Sequence, residues 1–286
     1  MDTPAPTLDD LRRRLDAIDD RIHDAIMERA SVIESIAALK RSTGQPSFRP
    51  GRVAEILRRL MARHEGPFPR QAMLRIWCEM LGGAVAMQGP FTVAVAAPAA
   101  RPGLWDVARD YFGSYVPMTP LRSGIAVLDA VGDGRAAVGV VPMPLDREEA
   151  PWWPTLAAAR GHGSRVVARL PFADFGNGRN AGDAGLVIAA GPADATDADR
   201  IMLVIETRRG TSRAQLIAAL GEIGIPFTYV AAHQTDPPRC WHLVELDAPF
   251  PALEARLAPV LRRFGEPPPA AWLLGSYARA LPLTAT

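Results

Sequence analysis

From Leu8 to about Ser42 the chain contains neither glycine nor proline. Leu11, Leu15, Ile18, Ile22, Ile26, Ile33 and Ile36 fall at three- and four-residue steps along it. That spacing predicts a single amphipathic helix of roughly 35 residues, about 50 Å long at ~1.5 Å per residue. Thr7 is placed to cap its start, Asp9 and Asp10 favour the positive end of the helix dipole, and Gly44 and Pro46 stop it. A helix this long carries an apolar stripe that it cannot cover itself, so it demands a bundle or a second chain.

Two shorter helices are expected next. Pro50 opens one that runs to about His64, with Val53, Ile56, Leu57 and Leu60 as its apolar stripe. The Gly66–Pro69 stretch GPFP is a turn, and a third helix runs from about Arg70 to Gln88 with Leu74, Trp77, Leu81 and Val85 on one face. One long helix and two short ones enclose a core poorly, whereas a dimer that interleaves two long helices encloses one well.

Pro90 marks a change of texture. FTVAVAAP, AAVGVVPM, RVVARL and GLVIAA read as strands, LWDVARDYF as a helix, and IAVLDAV as an apolar segment compatible with either. From about Asp199 the elements follow the order strand, helix, strand, strand, helix, strand, which is that of a ferredoxin-like module. The organisation expected is therefore multidomain, α and α/β: a three-helix domain over residues 1–90, a short α/β domain over 91–196, and an α+β domain over 197–286. A length of 286 residues fits two or three domains, and 48% hydrophobic with 22% charged residues excludes a chain disordered throughout.

A formal net charge of +1 gives no sequence-wide attraction for nucleic acid or acidic membranes. The basic residues of the first helix are interleaved with Asp16, Asp19, Asp20 and Glu28, which argues against a phosphate-tracking stripe. No apolar run is long enough to span a bilayer, and the first residues are polar without a signal core, so a cytoplasmic location is expected. Cys78 and Cys240 lie far apart and outside any metal-ligand spacing; they read as buried or incidental thiols, and no metal or other cofactor is expected. The five scattered histidines show neither triad nor metal spacing. The glycine spacing in GNGRNAG reads as a loop, and Trp152 and Trp153 as packing residues.

Arg12 within LRRRLDAIDDRI, Arg29 within MERA, Lys40 within AALK, Arg52 within FRPGR and Gln88 at the end of the third helix form an ordered set of polar positions. This pattern resembles the all-helical chorismate mutases, and is especially similar to the mutase domain of bifunctional chorismate mutase–prephenate dehydratases. The resemblance implies an interleaved homodimer that isomerises chorismate to prephenate in phenylalanine and tyrosine biosynthesis. The chemistry accounts for the charges independently. Chorismate is a dianion, and its rearrangement is concerted, so the enzyme must hold two carboxylates with the enolpyruvyl arm over the ring. It must also place donors at the ether oxygen, where negative charge grows as the C–O bond breaks. Planar guanidinium forks suit the carboxylates. By resemblance, Arg12, Arg29 and Arg52 bind carboxylates, and Lys40 and Gln88 face the ether oxygen. Arg29 and Lys40 are eleven residues apart, close to three full turns, and share a helix face. Arg12 projects about 100° away from Arg29 and is expected to serve the site of the second protomer.

The chain departs from this pattern at three positions. The acidic residue that follows the helix-two arginine in the family is Val53, the acidic residue that precedes it by three is Arg49, and the small hydroxyl residue of helix three is Ala84. Glu55 is displaced about 200° round the helix and cannot replace the missing acid at position 53. The middle segment resembles a shortened prephenate dehydratase domain in GRAAVGVVPMP. Met143-Pro144-Leu145 stands where the family has a Glu-Asn pair, AAPAARPG replaces its Gly-Pro-x-Gly-Thr motif, and GNGRNAGDAGLVIAAG replaces its Thr-Arg-Phe signature. Dehydratase activity is therefore expected to be absent. The last segment resembles an ACT domain, with Thr211-Ser212-Arg213 in place of the Gly-Ala-Leu turn and VAAHQT in place of Glu-Ser-Arg-Pro, so the resemblance carries the fold further than it carries an amino-acid effector. The alternative reading is a mutase-fold protein without catalysis that acts as a regulator or partner.

Overall fold

A computed structural model describes residues 5–282, apart from residues 98–102, 147, 161, 174, 176–181, 192–193, 209, 236–238, 249 and 266 and the side chains of residues 250–252 and 254–255. The sequence motifs AAPAARPG and GNGRNAG fall mostly outside the described residues. The chain forms a helical N-terminal region followed by one large mixed sheet. It divides into two compact units, residues 1–47 with 84–90, and residues 48–83 with 91–286.

The first unit is dominated by helix α1, Leu8–Thr43. Thr7 and Asp10 form a capping box at its start, and Gly44 ends it in the left-handed conformation with its N–H on the Lys40 carbonyl. Ile33 and Ala37 are its only buried residues, while Leu11, Leu15, Ile22, Met27, Val32 and Leu39 all lie about half exposed or more. The stripe anticipated from the sequence is therefore present and largely uncovered within one chain.

In the second unit, helix α2 (Pro50–Ala62) buries Gly51, Val53, Ala54, Leu57 and Met61. Ile56 and Leu60, expected within the stripe, are only half-buried. The small residues Gly51 and Ala54 take the close contact instead, which turns the buried face away from the larger side chains. Helix α3 (Arg70–Ala86) buries Leu74, Cys78, Leu81, Ala84 and Val85, with Trp77 at the margin, and passes from the second unit into the first.

The sheet is ordered β2-β1-β3-β5-β4-β9-β6-β8-β7. Its first part comprises β1 (Val93–Ala96), β2 (Met118–Leu121), β3 (Val138–Pro142), β4 (Ser164–Leu170) and β5 (Gly185–Ala190), with helices α4 (Gly103–Phe112), α5 (Gly124–Gly132) and α6 (Trp153–Ala158). β2, β1 and β3 are parallel, and β5 pairs antiparallel with both β3 and β4. Its second part comprises β6 (Asp199–Arg208), α7 (Arg213–Gly221), β7 (Phe227–Thr235), β8 (Arg239–Leu246), α8 (Phe250–Leu261) and β9 (Ala271–Ala278). These four strands pair antiparallel in the order fourth, first, third, second. Ile201, Leu203 and Ile205 of β6 and Val244 of β8 pack with Leu216 and Leu220 of α7 and Leu253 and Leu257 of α8.

The two parts meet where β4 pairs parallel with β9 at Val166 and Gly275. A Cβ on Gly275 would lie 2.1 Å from the Val166 carbonyl oxygen, so only glycine permits this approach. Trp152 and Trp153 are fully buried, as packing residues would be, and Cys78 and Cys240 are buried free thiols.

Candidate active site

Lys40 lies in the last turn of α1, and Gln88 lies in the turn that follows α3, its N–H on the Val85 carbonyl. Although 48 positions apart, they meet: Lys40 Nζ donates to Gln88 Oε1 at 2.9 Å and to the Ser47 carbonyl at 3.0 Å. Gln88 Nε2 donates to the Ala84 carbonyl at 2.9 Å, which orients the amide. Both side chains are part-buried in the first compact unit, where hydrogen bonds are worth more than in open water. The negative end of the α1 dipole also favours the ammonium of Lys40.

Arg29 lies on α1, roughly 16 Å before Lys40 along the axis, and is half-buried. Burial lowers the pKa of its guanidinium, which remains a cation at neutral pH. Arg12 is exposed near the start of α1 and pairs with Asp9 at 3.4 Å. Twenty-eight residues of helix separate it from Lys40, on the order of 40 Å, so the two cannot serve one substrate from the same copy of the helix. Arg52 belongs to the second compact unit, where it is exposed in the first turn of α2 and donates to Glu55 Oε2 at 2.9 Å. The structure thus brings Lys40 and Gln88 together within one unit and leaves Arg12 remote from them.

Each of the three departing positions has a structural occupation. Val53 is buried in the core face of α2, Ala84 is buried and lends its carbonyl to Gln88, and Arg49 donates from Nε to Asp194 Oδ1 at 3.0 Å. Asp194 gave no signal in the sequence, because it stands 145 positions from Arg49.

Two buried carboxylates of the second unit also went unnoticed. Glu206 on β6 accepts from Arg160, Arg239 and the Trp241 indole N–H. Burial alone would raise its pKa, but these donors more than offset that and hold it below its ordinary value. Glu245 on β8 accepts from Arg169 and Arg200. The available signal was an acid directly following an apolar run within each strand, a position that requires partners once buried. A cleft of about 210 Å³ lies at the carboxyl ends of β1 and β3, lined by Ala96, Leu104, Pro142, Met143, Leu145 and Asp183 among others. Among the described residues, no cluster of histidine, cysteine and acidic side chains is arranged to hold a metal ion, and no helix is long and apolar enough to cross a membrane.

Residues 11–89, which include all five polar positions of the mutase pattern, match the family Chorismate mutase type II. This segment is a chorismate mutase type II domain. It is homologous to the mutase region of bifunctional chorismate mutase/prephenate dehydratases. One such protein, from Stutzerimonas stutzeri, is 31% identical over 153 residues, covering 51% of this chain and 41% of its own length. Another, from Pseudomonas aeruginosa, is 30% identical over 145 residues, covering 49% of this chain and 40% of its own. The chain therefore spans about two fifths of the length of these curated relatives. An alignment of 153 residues is longer than the mutase domain, so the likeness to the first relative continues beyond it. Among solved structures, a prephenate dehydratase from Streptococcus mutans aligns with a TM-score of 0.47 and 16% identity, over 66% of this chain and 98% of that one.

Proposed function

We propose that the chain is a chorismate mutase that converts chorismate to prephenate in aromatic amino acid biosynthesis, working as a homodimer. The observation that carries this reading is the meeting of Lys40 Nζ and the Gln88 amide in a mutase domain. The reaction breaks the ether C–O bond as a C–C bond forms, and it needs no nucleophile or cofactor. Charge collects on the ether oxygen, and a fixed ammonium and amide N–H are suited to receive it. In this assignment Lys40 and Gln88 are catalytic, while Arg29, Arg52 and the partner's Arg12 bind the substrate carboxylates. The uncovered stripe of α1 supports the dimer, because a second copy of the helix would bury it. The distance from Arg12 to Lys40 supports a contribution from the second protomer.

The segments 91–196 and 197–286 are read as a shortened dehydratase-like module and an ACT-like module. The strand order of the last segment supports the second assignment. Dehydratase activity is assigned as absent. The described lining of the cleft at β1 and β3 is apolar except for Asp183, whose carboxylate would repel the prephenate dianion.

The alternative of a non-catalytic partner protein draws on Val53 and Arg49, whose structural occupations leave no acid at the two helix-two positions that would bind the ring hydroxyl. Incubation with chorismate, with products separated by chromatography before and after acid, distinguishes these readings. The expected product is prephenate, with phenylpyruvate seen only after acid. Phenylpyruvate without acid would overturn the dehydratase assignment, and no turnover by a folded dimer would overturn the mutase reading.

A further inference from the structure

Helix α2 opens on Pro50, whose fixed φ suits the first helical position. Its N-cap residue, Arg49, however, makes no side-chain cap, and no acid lies in its first turn. That turn nevertheless carries Arg52. What holds it comes from far along the chain. Asp194 places a carboxylate beside the helix start, accepting from Arg49 Nε at 3.0 Å, where negative charge also complements the dipole. The backbone approach is very close: a Cβ on Gly51 would lie 2.5 Å from Asp194 Cβ and 2.9 Å from the Asp194 carbonyl oxygen.

Two turns further on, Arg58 donates to Thr196 Oγ1 at 3.1 Å and to the carbonyls of Ala198 at 3.1 Å and Arg279 at 2.7 Å. The receiving segment is itself anchored. Asp199, the first residue of β6, accepts from Thr196 N at 2.7 Å and from Thr196 Oγ1 at 2.5 Å, and pairs across the sheet with Ala278 of β9. A continuous set of contacts therefore runs from the β6–β9 ladder through residues 194–199 to the first turn of α2, all within one compact unit.

We propose that Arg49 and Asp194 are positioning residues for the mutase reaction, seating the first turn of α2 on the 194–199 segment so that Arg52 is held ready for a substrate carboxylate. This rests on the mutase reading above. It gives the α/β body a part in catalysis that requires no dehydratase chemistry, and it explains why a basic residue occupies position 49. A guanidinium that binds a carboxylate equally in ground and transition states acts on KM and leaves kcat nearly unchanged.

The test is steady-state kinetics of full-length Asp194→Asn, Arg49→Ala and Arg49→Lys on chorismate, each also built on Arg52→Ala. Asp194→Asn and Arg49→Ala are expected to raise KM roughly threefold to tenfold with kcat within about twofold, and Arg49→Lys to stay near wild type. On the Arg52→Ala background, the same changes should add nothing to KM. An unchanged KM, a fall in kcat alone, or an undiminished effect without Arg52 would overturn the proposal while leaving the mutase reading intact. An inactive wild type would overturn both. Should Asp194→Asn fail to fold, Arg49→Ala, at an exposed site, carries the test.

Discussion

His242 provides a pH response whose size follows from its surroundings. It is 2% exposed on β8, with Nε2 2.9 Å from Thr207 Oγ1 and Nδ1 2.8 Å from the Tyr229 hydroxyl. A neutral imidazole has one donor and one acceptor, and the two hydroxyls satisfy both. Beyond Tyr229, Arg213 sits 4.1 Å from the centre of the tyrosine ring and pairs with Asp146. Burial lowers the His242 pKa from 6.5 to about 4. The unfolded chain therefore takes up this proton first. Stability is independent of His242 above pH 6.5, declines as pH falls from 6.5 toward 4, and carries the full, constant His242 penalty below 4. At 1.36 kcal/mol per pH unit the loss is about 3 kcal/mol, a large share of a typical folding free energy. Urea unfolding between pH 8 and pH 4 would measure it, with His242→Gln as reference. Carboxylates such as Glu206 also lose stability at low pH, but they do so in both proteins. The wild-type advantage over the variant should shrink by about 2–3 kcal/mol between pH 7 and pH 4. A difference that stays constant across this range would show that burial does not hold His242 neutral.

Two further outcomes follow from the structure. An Ile22→Asp substitution in the exposed stripe of α1 should convert a dimer to a monomer in light scattering while helicity by circular dichroism is retained; an unaffected dimer would remove the stripe from the interface. Burial, with added repulsion from Asp110 and Glu79, pushes the Cys78 thiol up to about 12. At pH 8 a thiol-specific disulfide reagent should leave Cys78 unmodified in the folded protein and react on unfolding, and rapid stoichiometric labelling of the native state would contradict this.

The sequence was most legible where one element satisfies its own pattern. The absence of glycine and proline through α1, with Thr7 and Gly44 at its ends, defined that helix to within a residue. IAVLDAV was ambiguous because all its positions but Asp129 are apolar and show no period; Ser123 capping Ala126 N resolves it as the start of helix α5. β2 escaped notice, being four residues with a proline and no buried face, and α6 is only six residues long. The resemblance named Lys40 and Gln88, and α1 and the turn after α3 carry them to within 2.9 Å. The seat of Arg52 was illegible, because Arg49 and Asp194 are ordinary surface residue types until the fold joins them. The union of the two sheet halves at Val166 and Gly275 was hidden for the same reason.

Following chorismate consumption with wild-type protein and Lys40→Ala in parallel, both verified as folded and of equal oligomeric state, shows whether the Lys40 ammonium drives a mutase reaction. Prephenate is expected from the wild type, with a kcat roughly 10²- to 10³-fold lower in the variant, the cost of removing one donor from a developing negative charge. Equal rates in the two proteins, or no turnover by either, would contradict this expectation.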